Sequence, residues 1–168
     1  MSTHSTHSAC AGARFLLNVT TGANNVAFAS LWDAHPAVVR VPVPPVPTAD
    51  GVWVLVAGST NPMQTLLANA VLRFRYADGR ADELELIPPV NYWSLAGWGH
   101  PDDYSYDSDS FCLPPTPPPT VQLGAFNRAH VYFHALPRAD AGALLASVEL
   151  EALSQEVVVG LLGVSLMS

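Results

Sequence analysis

Ala70-Val-Leu-Arg-Phe-Arg-Tyr-Ala-Asp-Gly-Arg-Ala-Asp-Glu-Leu-Glu-Leu-Ile87 decides the fold. Successive side chains of a strand point to opposite faces, so Leu72, Phe74 and Tyr76 go to one side while Arg73 and Arg75 go to the other. Asp78-Gly79 supplies a hairpin turn. On the return run Leu84 and Leu86 face inward, and Glu83 and Glu85 outward. This brings Arg73 or Arg75 opposite those carboxylates across the pair.

The same period of two recurs on both sides of this hairpin. Strands are expected over residues 15–19, 26–31, 38–43, 52–57, 121–126, 131–136, 148–153 and 157–166. Pro42, Pro44, Pro45 and Pro47 are expected to end one of them, and the prolines between 114 and 119 to form a stiff extended connection before another. Only residues 139–152 compete as a helix. Val148-Glu-Leu-Glu alternates, however, so that segment reads as a loop or short helix followed by a strand. Many short strands without βαβ spacing imply an all-β fold, a two-sheet antiparallel β-sandwich of jelly-roll type. Residues 1–13 read as a flexible N-terminal tail and 14–168 as a single domain.

Composition agrees with a packed domain. The 168 residues are 49% hydrophobic and 12% charged, and carry 7 Arg, no Lys and a net charge of −7. With no basic run to neutralise phosphates, nucleic acid is excluded as a partner. The apolar run 157–164 is too short for a membrane helix, so no membrane span is expected. The N-terminus has neither a cationic start nor a continuous apolar stretch, and no secretory leader is visible. Cys10 and Cys112 are too few for a disulfide framework.

Four phrases add a resemblance: Ala29-Ser-Leu-Trp-Asp-Ala-His-Pro36, Val54-Leu-Val-Ala-Gly-Ser-Thr-Asn-Pro-Met-Gln64, Tyr76-Ala-Asp-Gly79 and Asn91-Tyr-Trp-Ser-Leu95. Together they resemble an accessory β-sandwich domain of large bacterial proteins that look like carbohydrate-active enzymes. The closing run, residues 153–166, is similar to the last strand of galactose-binding-like jelly rolls. The resemblance spans residues 26–166 and implies an accessory, carbohydrate-binding-like role.

The segment 93–111 carries the chemistry that such a role needs. Trp93, Trp98, Tyr104 and Tyr106 can stack on sugar rings while Asp102 and Asp107 accept hydroxyl hydrogens, which suits a shallow saccharide site. The alternative is that the aromatics cap the core and the aspartates solvate a loop. Asp103, Asp107 and Asp109 offer oxygen ligands for calcium, but lack the central Gly and final Glu of a known calcium loop. No other cofactor is expected. His130 and His134 lie on a predicted strand, about 13 Å apart, and so cannot share a zinc ion. Residues 60–64, Asn69 and Asp78-Gly79 read first as turn chemistry. No nucleophile elbow, phosphate loop or dinucleotide site is present; glycoside hydrolysis would need two carboxylates such as Asp102 and Asp107 held about 5–9.5 Å apart, and that reading stays open because the resembling proteins include enzymes. Three functions are therefore open: a non-catalytic accessory or carbohydrate-binding-like domain, a structural module packing on a partner domain or chain, and a glycoside hydrolase.

Overall fold

The computed structural model describes residues 4–9, 13–18, 26–32, 34–47, 51–59, 64, 66–88, 90–92, 120–122, 128–135 and 143–166. Eleven strands occur among them: β1 (His4–Ala9), β2 (Ala13–Asn18), β3 (Ala27–Ser30), β4 (Val38–Pro47), β5 (Gly51–Ser59), β6 (Ala70–Tyr76), β7 (Ala81–Leu86), β8 (Thr120–Gln122), β9 (Arg128–Ala135), β10 (Leu144–Ala152) and β11 (Val158–Leu166). They form a four-stranded sheet in the order β4-β10-β6-β7, a five-stranded sheet in the order β3-β11-β5-β9-β8, and a separate β1-β2 pair. All pairings are antiparallel. The two larger sheets enclose one core, which makes the molecule an all-β two-sheet sandwich. Residues 4–9, read from the sequence as part of a tail, form β1.

Both sheets depend on the last residues of the chain. Strand β10 lies between β4 and β6, and β11 lies between β3 and β5. Neither sheet is continuous until this C-terminal pair is in place. Each of the two strands carries a bulge, near Ala146 and Leu162, that shifts its register.

The decisive hairpin has the expected faces. Leu72 stands opposite both Leu84 and Leu150. With Phe74, Leu86, Leu145 and Val148 these side chains meet Val52, Val54, Val56, Val159 and Leu161 of the other sheet in the core. Each fully buried Leu or Phe contributes about 1.5–3 kcal/mol from loss of contact with water. The turn is longer than a two-residue type I′ loop. Gly79 N–H donates to Tyr76 C=O at 3.0 Å and Tyr76 N–H donates to Arg80 C=O at 2.9 Å. Gly79 has φ +88°. This is a three-residue loop in which the glycine takes the left-handed position. The Asp78 carboxyl is held below its usual range by the Arg80 backbone N–H and then by the Arg80 side chain.

Two expectations change. The prolines of β4 do not end that strand, which runs on through Pro47. β4 is an edge strand, where a residue without an N–H can face outward without breaking the ladder. Residues 144–152 form strand β10 throughout, and no helix occurs among residues 143–166.

Candidate functional site

Strand ends and loops gather several large exposed side chains at one end of the sandwich. At this end β10 stops at Ala152 opposite Ala70, where β6 begins, and β11 begins at Val158 opposite Ser30 and Ser59, where β3 and β5 end. The described parts of the connections between these strands, residues 31–32, 34–37, 66–69 and 153–157, therefore lie here, together with the start of the segment after Leu86.

A buried polar knot fixes these loops to one another. Asn69 is fully buried and donates from Nδ2 to the Tyr92 hydroxyl at 2.8 Å. Its backbone N–H donates to Leu86 C=O at 2.9 Å, and its C=O accepts from Leu153 N–H at 2.8 Å. Asn91 accepts from Ile87 N–H at 2.9 Å and donates to Glu85 C=O at 2.8 Å, closing a turn. Ser30 Oγ donates to Val157 C=O at 2.8 Å and accepts from Trp32 N–H at 3.2 Å. Paired in this way, buried amides and hydroxyls hold loop backbones in single conformations. Asn69, read from the sequence as a turn residue, instead makes long-range bonds that tie separate connections together.

Around this knot the large apolar residues point outward. Leu66 is 58% exposed, Leu67 55% and Trp32 50%. Leu31, Val38, Val90 and Leu153 are exposed too. Both described non-glycine residues with positive φ belong to this end, Leu66 at 61° and Glu156 at 63°. A left-handed conformation is uncommon for a bulky residue and is found where surrounding structure enforces it. For Leu66 the enforcing contact is its N–H to Pro88 C=O at 2.7 Å. Sequence reasoning missed these residues because apolar side chains read as core. The signal that was present is a Leu-Leu pair inside an inter-strand connection.

The outer face of the four-stranded sheet carries a second cluster. Glu149 on β10 is buried and is contacted from both neighbouring strands. Arg40 of β4 reaches it at 2.6 Å, and from β6 Arg75 reaches it at 2.6 Å and Arg73 at 3.4 Å. Arg73 also pairs with Glu83 of β7 at 2.7 Å and with Glu151. The hydrogen bonds from Arg75, followed by those from Arg40, outweigh burial and lower the Glu149 pKa to about 2. All three guanidinium groups are engaged, and with Glu83, Glu85, Glu149 and Glu151 on the same face acids outnumber bases there, so it is not an anion receptor.

The depressed acid has a consequence for stability. Its contribution is complete above the ordinary glutamate value of 4.5 and is lost as pH falls from there towards 2. Urea melts between pH 6 and 2.5 are expected to lose about 1–2 kcal/mol through this group, allowing for solvent around the exposed arginines. Glu149→Gln should flatten that part of the profile. An unchanged acid slope in the variant would show that other carboxylates carry it.

The sequence candidates Trp93, Trp98, Asp102, Asp103, Tyr104, Tyr106, Asp107 and Asp109 lie outside the described residues, as do Cys10, Cys112 and residues 60–63. Asn91 and Tyr92, which begin the same stretch, are buried at the loop-bearing end. His130 and His134 are both on β9, opposite Val56 and Val52. Among the described residues no cluster of His, Cys, Asp or Glu is placed to hold a metal ion. No described helix is long and apolar enough to cross a membrane. No known family, curated protein or solved structure matches this chain.

Proposed function

We propose that this chain is a non-catalytic accessory β-sandwich module that attaches through its loop-bearing end to an apolar surface of another protein domain or chain. One observation carries this reading: large aliphatic side chains stand exposed on loops whose backbones are locked by the Asn69–Tyr92 knot. Surfaces of soluble proteins rarely gather such residues unless something covers them. The low charge content of the chain and the accessory-domain resemblance of residues 26–166 point the same way.

Saccharide binding is the second reading, favoured by Trp32. This ring is half exposed on a loop closed by His35 N–H to Trp32 C=O and Ser30 N–H to Pro36 C=O, both at 3.0 Å. A pre-ordered aromatic face suits a sugar ring. In the sequence, the aromatic and acidic residues 93–111 follow directly after Tyr92.

A pair of measurements separates the two. Replacing Leu66, Leu67 and Val90 together by Ser is expected to shift the melting temperature by no more than about 3 °C, because exposed positions contribute little to stability. A drop of more than about 8 °C would mean that these side chains are core, and the attachment reading would fail. Calorimetry over a broad glycan panel, with Trp32→Ala and Trp98→Ala as controls, tests the second reading. Wild-type heat that disappears in either control would favour saccharide binding over protein attachment.

A further inference from the structure

We infer that Asp78–Gly79, at the tip of the β6–β7 hairpin, is a latent modification site that converts to isoaspartate through a succinimide, and that Arg80 guards it in the folded chain. The inference is independent of the attachment reading. Strand β6 starts at the loop-bearing end and carries this turn away from it.

The chemistry needs no co-reactant but water. The Gly79 amide nitrogen gives up its proton and attacks the side-chain carboxyl carbon of Asp78. A C–N bond forms, one carboxyl oxygen departs as water, and a five-membered imide results. Water then opens the ring at one of its two carbonyl carbons. Attack at the side-chain carbon restores aspartate. Attack at the main-chain carbon leaves the backbone running through the side chain, with the α-carboxylate free. The sum is an isomerisation with no change of mass.

Exposure and shape mark the pair as a site. The Asp78 side chain retains 46% of its full accessibility, so water reaches the carboxyl. Residue 79 has no side chain to shield its nitrogen, and a Cβ built there would meet nothing within 4 Å. The chain's other Asp-Gly pair is Asp50–Gly51, where the glycine is buried and laddered to Ala135.

The folded turn occupies both reacting groups. Gly79 N–H donates to Tyr76 C=O at 3.0 Å, so the nitrogen must leave the loop's own hydrogen bond before it attacks. One Asp78 carboxylate oxygen accepts from the Arg80 backbone N–H at 3.0 Å, and the other from Arg80 Nε at 2.8 Å. The departing oxygen has to be protonated, whereas bonds from an N–H and a guanidinium favour the ionised carboxylate. Conversion would also loosen the hairpin. One extra backbone atom enters a loop closed by Tyr76 N–H to Arg80 C=O, and that loop sets the register that places Leu72 opposite Leu84.

Site-resolved mapping of the full chain, kept for weeks near neutral pH, provides the test. Endoproteinase Asp-N cuts before aspartate but not before isoaspartate, so the fraction left uncut at residue 78 after denaturation measures conversion. Asp50 is read at its own cut. A synthetic peptide of residues 75–82 supplies the unguarded rate. The folded chain is expected to convert at least about ten-fold more slowly than the peptide, because reaction waits for the turn to open. Arg80→Gln should raise the folded rate about two- to five-fold, the size of effect an exposed ion pair supports, with the melting temperature held. A peptide that does not convert, or a wild-type chain that converts as fast as the peptide, overturns the inference. So does an Arg80→Gln variant that converts no faster than wild type. A faster variant whose melting temperature has also fallen assigns the protection to the fold as a whole and removes Arg80 as the guard.

Discussion

Leu72→Asp is expected to leave the chain largely unfolded at room temperature. Leu72 is fully buried, and its register partners are Leu84 on one side and Leu150 on the other. Losing the leucine alone would remove about 2–5 kcal/mol through lost burial and an unfilled cavity. The carboxylate adds a further penalty of several kcal/mol. Among the described residues no arginine is paired on that face, because Arg73 and Arg75 are on the opposite side of β6, engaged with Glu83, Glu149 and Glu151. The combined loss rivals the roughly 5–15 kcal/mol that stabilises a whole domain. Circular dichroism at 25 °C should show loss of the β signal. A folded variant with a melting temperature near that of wild type would mean that the two faces of the hairpin are reversed. Arg75→Leu is the matching control on the outer face, where a loss of about 1–2 kcal/mol is expected.

The hairpin could be read so directly because one physical rule determined it. Alternation sends every second residue to water, and the hairpin obeys it from Leu72 onward, while Val71 at an outward position is buried. Within that stretch the exception is Asp82, an acid at an inward position. There the Tyr76 hydroxyl donates to it at 2.7 Å, and burial, followed by this bond, raises the pKa of the tyrosine. The part of strand β10 from Val148 was legible for the same reason, while residues 144–147, read as loop or short helix, were not. Strand β4 was misjudged because a proline is a strand breaker only in the middle of a sheet, and sheet order is a non-local property. The three-arginine cage around Glu149 was half visible. Arg73 facing Glu83 followed from the hairpin, but Arg40 and Glu149 are more than a hundred residues apart and meet only through the β4-β10 pairing.

The candidate site was less legible for a different reason. Burial is a property of the assembled fold, and the sequence marks Leu66 and Leu67 in the same way as it marks Leu84 and Leu86. What separates them is that the first pair sits in a connection and the second in a strand that faces the other sheet. The hydrogen bonds that hold the connection in place, from Asn69, Asn91 and Ser30, are made by residue types that also serve ordinary turns. Their convergence on one end appears only when β6, β7, β10 and β11 have been brought together.

Gly58→Ala should be the second most damaging single change, and it tests the packing of that same end. A Cβ at position 58 would come within 2.6 Å of the Val158 carbonyl oxygen and 3.3 Å of the Val159 Cα, both backbone atoms of the paired strand β11. The Tyr92 ring lies on the same side at 3.5 Å. No side-chain rotation can clear a backbone clash, so β5 and β11 must separate where they carry the core residues Val56 and Val159. Overpacking of this kind costs about 1–3 kcal/mol, and the upper end is expected here because the ladder is strained as well as the core. For this chain that corresponds to a fall of about 6–12 °C in melting temperature. Gly160→Ala, two residues further along the same ladder, is the informative comparison. Its nearest neighbour is the Val26 Cγ1 at 2.9 Å, a side-chain atom of an exposed residue that can turn away. The expected loss is under about 1 kcal/mol, since relief requires only a change of rotamer. Equal losses in the two variants would show that β5 and β11 have more freedom to move apart than their register and close approach imply.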